Sequence, residues 1–129
     1  MICVNPDRVV QSGDQLIYCG GALAELYVEL GGAVVMAGKP HPPIYRLALA
    51  EAERLLGRPV ERDRVLCIGD GVATDVKGAA DQGLDCLFIA GGIHGAEVTR
   101  DGQLDPALTI DLLGRQGLGA AYAMLALRG

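Results

Sequence analysis

The sequence predicts an α/β protein organised around a parallel strand–helix–strand unit, and three observations predict it. Residues 65–68, Val-Leu-Cys-Ile, are a continuous apolar run of strand length, the pattern of a strand buried on both faces. Residues 86–90, Cys-Leu-Phe-Ile-Ala, are a second such run. Between them Thr74 or Asp75 opens a short helix to about Gln82, closed by Gly83. Strand, helix and strand at that spacing make a βαβ unit.

The other elements follow in chain order. Residues 2–4 are apolar and stop at Asn5-Pro6-Asp7, as the last residues of a strand running into a turn would. Residues 8–15 are polar, with a turn signal at Gly13-Asp14. Residues 20–30 place Leu23, Leu26, Tyr27 and Leu30 on one face, which predicts an amphipathic helix stopped by Gly31-Gly32. Residues 33–37 are β-branched and apolar, a strand. Gly38-Lys39-Pro40-His41-Pro42-Pro43 is stiff extended chain, because each proline restricts itself and its predecessor. Pro43 suits a first helical position, and the helix after it carries Ile44, Leu47, Ala48, Leu55 and Leu56 on one face before Gly57. Residues 59–64 are a charged connector. Residues 92–105 are turn-rich, with Asp101-Gly102 a clear turn. Residues 106–113 read as a helix. Residues 118–127 fit either a helix or a final strand.

Composition narrows the function classes. Of 129 residues, half are apolar, enough for one packed domain and too few for two ordinary ones. The net charge is −5 and the basic residues form no run, so no nucleic-acid footprint is expected. The first residues lack a basic segment followed by a long apolar one, so no signal peptide is expected. No apolar stretch approaches the ~20 residues of a membrane span. Cys3, Cys19, Cys67 and Cys86 contain no C-x-x-C pair, which argues against zinc and for reduced thiols in a cytoplasmic protein. Tyr18, Tyr27, Tyr45 and Tyr122 are expected in a core or an interface.

Few side chains are candidates for chemistry. Asp70 follows the apolar run at 65–68, and ligands of parallel α/β sheets bind at the carboxyl ends of strands. It is either a Mg²⁺ ligand or a turn-forming aspartate. Asp75 is either a second ligand or a carboxylate in the first turn of a helix, favoured there by about 0.3–1 kcal/mol, with Thr74 as N-cap. Lys39, held between Gly38 and Pro40, either presents a charge to a phosphate or is a solvated surface lysine. His41 and His94, the two histidines, receive no acid–base role, because no paired carboxylate or nucleophile is evident.

These residues together resemble a known family. Gly38-Lys39-Pro40 with Pro42-Pro43-Ile44-Tyr45, then Gly69-Asp70-x-x-x-Thr74-Asp75, is similar to the haloacid dehalogenase (HAD) superfamily. The order Asn5-Pro6-Asp7, Gly-Ala-Leu from Gly21, then the lysine motif resembles its large α/β-cap subgroup, the nitrophenylphosphatase and sugar-phosphatase-like hydrolases. The resemblance implies a partial Rossmann-like core preceded by the tail of a cap: residues 1–37 as the cap remnant and 38–129 as the C-terminal part of the core. It implies a Mg²⁺-dependent phosphate monoester phosphatase. Lys39 would be the catalytic lysine, Asp70 and Asp75 the metal carboxylates, and Asn5 and Asp7 a cap segment near a small phosphorylated metabolite.

One departure is large. The family's nucleophile lies in Asp-x-Asp-Gly, and no two aspartates here are two positions apart. The chain is therefore expected to be inactive alone, as the last part of a cap followed by the C-terminal part of a core. The strand at 65–68, lacking the nucleophile strand as neighbour, would present an apolar edge of the kind that recruits other chains. A homodimer or higher oligomer is expected, with neither nucleic acid nor membrane as partner. Two alternatives stand beside the enzyme reading: a non-catalytic oligomeric or anion-binding module, or one half of a split enzyme. A phospho-acceptor signalling domain ranks last, since residues 2–4 are followed by Asn-Pro-Asp and not by an acidic pair.

Overall fold

A computed structural model describes residues 1–12 and 15–127. They form two compact units, Met1–Glu51 and Ala52–Gly129.

In the first unit β1 (Ile2–Cys3) and β4 (Val35–Met36) pair in parallel, Ile2 opposite Val35 and Cys3 opposite Met36. Between them run an antiparallel hairpin, β2 (Val9–Ser12) and β3 (Gln15–Tyr18), and α1 (Gly20–Glu29). The turn expected at Gly13-Asp14 lies outside the described residues. The α1 helix buries Ala24 and Gly21, while Leu23, Leu26, Tyr27 and Leu30 of the expected face remain exposed. Parallel pairing brings the segments after both strands to one end of this small sheet: Asn5-Pro6-Asp7 after β1, Gly38-Lys39-Pro40 after β4. Glycine is required at 38, since a Cβ there would overlap the Val4 carbonyl oxygen.

Helix α2 (Pro42–Leu56) begins in the first unit and ends in the second. It forms where the two prolines and the apolar periodicity predict it. Its apolar face is left uncovered: none of its residues is buried, and Leu47 and Leu55 are 66% and 70% exposed. Periodicity sets which side chains share a face; burial also needs a surface to cover that face.

The second unit is built on a parallel sheet, β5 (Leu66–Gly69), β6 (Asp85–Ile89) and β9 (Tyr122–Met124), in that order with β6 central. The ambiguous C-terminal segment is thus a strand. A single π-helical turn (Val72–Val76) and α3 (Lys77–Asp81) connect β5 to β6 and pack against the sheet. Phe88, Val72, Val76 and Val98 are the largest fully buried side chains. After β6 come α4 (Gly95–Val98), a small hairpin of β7 (Thr99–Arg100) and β8 (Gln103–Leu104), and α5 (Pro106–Gly114). The hairpin turns at Asp101-Gly102, both at positive φ (52° and 74°). Asp105 caps α5, its Oδ1 accepting from the Ala107 and Leu108 amides.

One expectation fails in this unit. β5 is not buried on both faces: Leu66 and Ile68 are 44% and 51% exposed, because among the described residues β5 has one neighbour, β6, and only the Cys67 side faces a helical layer. Of the tyrosines expected in a core or an interface, Tyr18 and Tyr27 of the first unit and Tyr122 of the second are exposed.

Candidate functional site

The stretch from 69 to 75 folds into a clasp. β5 ends at Gly69, and Asp70 stands half-buried beyond the strand's carboxyl end. The chain then widens into the π-helical turn: the amides of Asp75 and Val76 both donate to the Gly71 carbonyl, at 2.7 and 3.1 Å. That turns the Asp75 side chain back, and its Oδ2 accepts the Gly71 amide at 3.0 Å. Asp75 is 7% exposed. A glycine is needed at 69 for the same reason, because any Cβ there would overlap the Asp75 carboxyl carbon. Thr74, expected as an N-cap, lies inside the turn and makes no capping bond. A buried carboxylate requires partners, so Asp75 is placed here by design of the loop and not by the generic preference of helix starts for acids.

Asp70 is held from a second loop. Its Oδ2 accepts the Ile93 amide at 3.2 Å, and Ile93 follows β6 as Asp70 follows β5. Two adjacent parallel strands therefore deliver a carboxylate and an amide to the same end of the sheet. Sequence reasoning did not anticipate Ile93, because a backbone donor leaves no signature in residue type. It also missed the pair beside it: His94 Nδ1 lies 2.9 Å from Glu97 Oε1. The spacing of three at the start of a helix was the available signal.

The thiols behind the sheet feel the same carboxylate. Cys67 and Cys86 are register partners on β5 and β6. Burial, then the Asp75 charge, pushes the Cys67 thiol up. Burial first, then Cys67 and Asp75, pushes Cys86 up to about 11. All four cysteines are free, and the raised values make these two poor nucleophiles.

The remaining candidates lie in the first unit. Asn5 Oδ1 accepts the Asp7 amide at 3.0 Å, an Asx turn in which Asn5 shapes its own loop. Lys39 is exposed, just beyond β4. The two units are separate compact bodies, so Asn5, Asp7 and Lys39 form one group and Asp70 and Asp75 another.

Comparison with known proteins agrees with this parallel α/β arrangement. The model of the HAD-hydrolase-like family matches residues 36–115. The chain belongs to that family. A dihydroxyacetone phosphatase from Corynebacterium glutamicum is 33% identical over 101 residues, covering 77% of this chain and 34% of that protein. A haloacid dehalogenase-like hydrolase from Brucella suis has a solved structure that matches with a TM-score of 0.68 at 48% identity, covering 98% of this chain and 44% of that one. The p-nitrophenyl phosphatase from Archaeoglobus fulgidus matches with a TM-score of 0.62 at 25% identity, over 95% of this chain and 42% of that one. This HAD chain thus spans about a third of the curated phosphatase and less than half of the solved relatives. No helix among its described residues is long and apolar enough to cross a membrane.

Proposed function

We propose that this HAD chain supplies the metal-carboxylate and lysine parts of a Mg²⁺-dependent phosphate monoester hydrolase acting on a small phosphorylated metabolite. The observation that supports it most is the clasp: a nine-tenths-buried Asp75 locked to Gly71, beside a half-buried Asp70 held by Ile93, at the carboxyl end of a parallel strand.

The donor set fits a hard cation. Asp70 and Asp75 offer oxygens alone, and no cluster of three or more His, Cys, Asp or Glu side chains surrounds them among the described residues. Two carboxylates leave most of a coordination shell to water and substrate phosphate, as Mg²⁺ prefers. Mg²⁺, when bound, neutralises charge on the phosphoryl oxygens. The chain's own residues do the rest. The Ile93 amide fixes one oxygen of Asp70, so the other presents in a set direction. The Gly71 amide holds Asp75 against rotation. Lys39 contributes a positive charge for phosphate. Asn5 and Asp7 shape the loop that this reading places near substrate.

The covalent step needs a carboxylate nucleophile, and this chain has no Asp-x-Asp. Pure chain is therefore expected to leave p-nitrophenyl phosphate intact with or without Mg²⁺. Mixed with a polypeptide bearing an Asp-x-Asp-Gly HAD half, it is expected to give Mg²⁺-dependent hydrolysis that Asp70→Asn or Lys39→Ala abolishes. Independently, MgCl₂ is expected to move the Gly71 and Ile93 amide resonances of the chain saturably, and not those of Asp70→Asn. Turnover by pure chain that disappears in Asp70→Asn would overturn the missing-nucleophile reading. Absence of any shift at these two amides at millimolar Mg²⁺ would overturn the metal assignment.

A further inference from the structure

The amide that holds Asp70 belongs to a segment with little to hold it in turn. Residues 91–95 are Gly-Gly-Ile-His-Gly, and glycine-rich backbone loses the most conformational freedom when it is fixed. Ile93 lends no packing, since its side chain is 73% exposed. The segment nevertheless closes as a four-residue turn. The Gly95 amide donates to the Gly92 carbonyl at 3.1 Å, with Ile93 and His94 as the central residues. His94 has φ −104° and ψ 9°, the angles of the third position of a type I turn. The turn lies tight against the carboxylate, because a Cβ at Gly92 would overlap Asp70 Oδ2. A shift of the turn therefore either draws the Ile93 amide off Asp70 or pushes the carboxyl group aside.

His94 is the side chain that ties this turn down. Its ring packs on the fully buried Phe88, with centroids 6.3 Å apart. Its Nδ1 lies 2.9 Å from Glu97 Oε1. An ionised carboxylate only accepts, so Nδ1 carries the proton and donates. The Glu97 amide donates back to the His94 carbonyl at 2.9 Å, so side chain and main chain close the same span. We propose that His94 is a positioning residue: through Phe88 and Glu97 it sets the turn whose Ile93 amide orients Asp70 for a divalent cation. For the cation this rests on the metal-carboxylate reading above, whereas the hold on the Ile93 amide stands without metal. Partners behind a metal ligand set its affinity without touching the ion. Here the chain of contacts runs from the core at Phe88, through an imidazole, to one oxygen of Asp70.

The test has two arms on the purified chain. The first is hydrogen exchange of the Ile93 amide without metal, which His94→Ala is expected to speed about tenfold as the turn loosens. The second is the midpoint of the Gly71 amide shift in a MgCl₂ titration, which His94→Ala is expected to raise by about tenfold or more. His94→Asn places its Nδ2 donor where Nδ1 stood and is expected to recover most of both losses. Glu97→Ala is expected to repeat His94→Ala, and the double variant to add nothing further, as for two partners of one contact. Asp105→Ala serves as the structural control: it uncaps α5 and is expected to lower the melting temperature while leaving both readouts in place. Circular dichroism confirms that each variant is folded. Unchanged Ile93 exchange in His94→Ala overturns the proposal. So does an effect that Asp105→Ala reproduces, or one that His94→Asn fails to reverse. A wild type whose amides ignore Mg²⁺ overturns the metal reading instead, and the exchange arm still decides whether His94 holds the turn.

Discussion

In Met1–Glu51 backbone approaches backbone closely, with the Gly38 α-carbon set against the Val4 carbonyl. In Ala52–Gly129 a core of side chains forms, with Phe88 of β6 fully buried. The first unit buries Cys3 and Ala24 but none of its large apolar side chains, leaving Leu16, Tyr18, Leu23 and Leu30 exposed. The second fully buries Phe88, Val72, Val76 and Val98. The difference teaches where stability and chemistry reside. A unit with its own apolar core can hold a buried carboxylate in a fixed loop, and the clasp at Gly71 and Asp75 is found there. A unit held by close backbone approach presents polar loops, and Asn5, Asp7 and Lys39 are found there.

The comparison breaks most decisively at Phe88. Phe88→Ala is expected to cost about 3–5 kcal/mol in urea denaturation, and to expose the Gly71 amide to hydrogen exchange while amides of α1 keep their protection. A cost under about 1 kcal/mol, outside the usual range for such a truncation, would show that the second unit has no dominant core. Gly38→Ala sharpens the other side. Its added methyl meets a backbone oxygen and not a movable side chain, so a loss of about 1–3 kcal/mol is expected, read as faster exchange in β1 and β4. A neutral result would mean that β1 and β4 can separate without consequence. The smallest effect is a slope. Cys86 is held protonated to about 11 against an ordinary 9.0. Below pH 9 both folded and unfolded chains keep the proton, and its contribution is full. Between about 9 and 11 the unfolded chain releases it and the folded one does not, so stability falls as pH rises. Cys86→Ala is expected to flatten that part of the stability–pH curve. An unchanged slope would put the alkaline loss elsewhere.

The fold was legible where local pattern and tertiary context agree. The helices at Gly20 and Pro42, the runs that become β5 and β6, and the proline-led helix after Asp105 are all visible in periodicity, caps and turns. Burial was not legible to the same degree. The stripe Ile44, Leu47, Leu55 and the faces of Leu66 and Ile68 are apolar by sequence and exposed in the structure, because pattern says which side chains face together and not whether anything covers them. The site was half legible. Asp70 and Asp75 stand out as residue types at a strand end, whereas the Gly71 and Ile93 amides that orient them carry no side-chain signal. His94 was visible, and its partner Glu97 was signalled only by a spacing of three at the start of a short helix.

The shared carbonyl of Gly71 has a consequence for how such a chain can vary in length. Two successive amides converge on that oxygen while the Gly71 amide reaches forward to Asp75, so the loop is a ring closed in both directions. Removing or adding one residue between 71 and 75 would swing the carboxylate to another side of the turn, and no sliding of the sheet could restore it. The connector at 57–64 and the hairpin turn at 101–102 carry no such ring. Natural insertions and deletions in this lineage should therefore collect in those two places and spare the five residues of the clasp, which act as a gauge block between strand and helix.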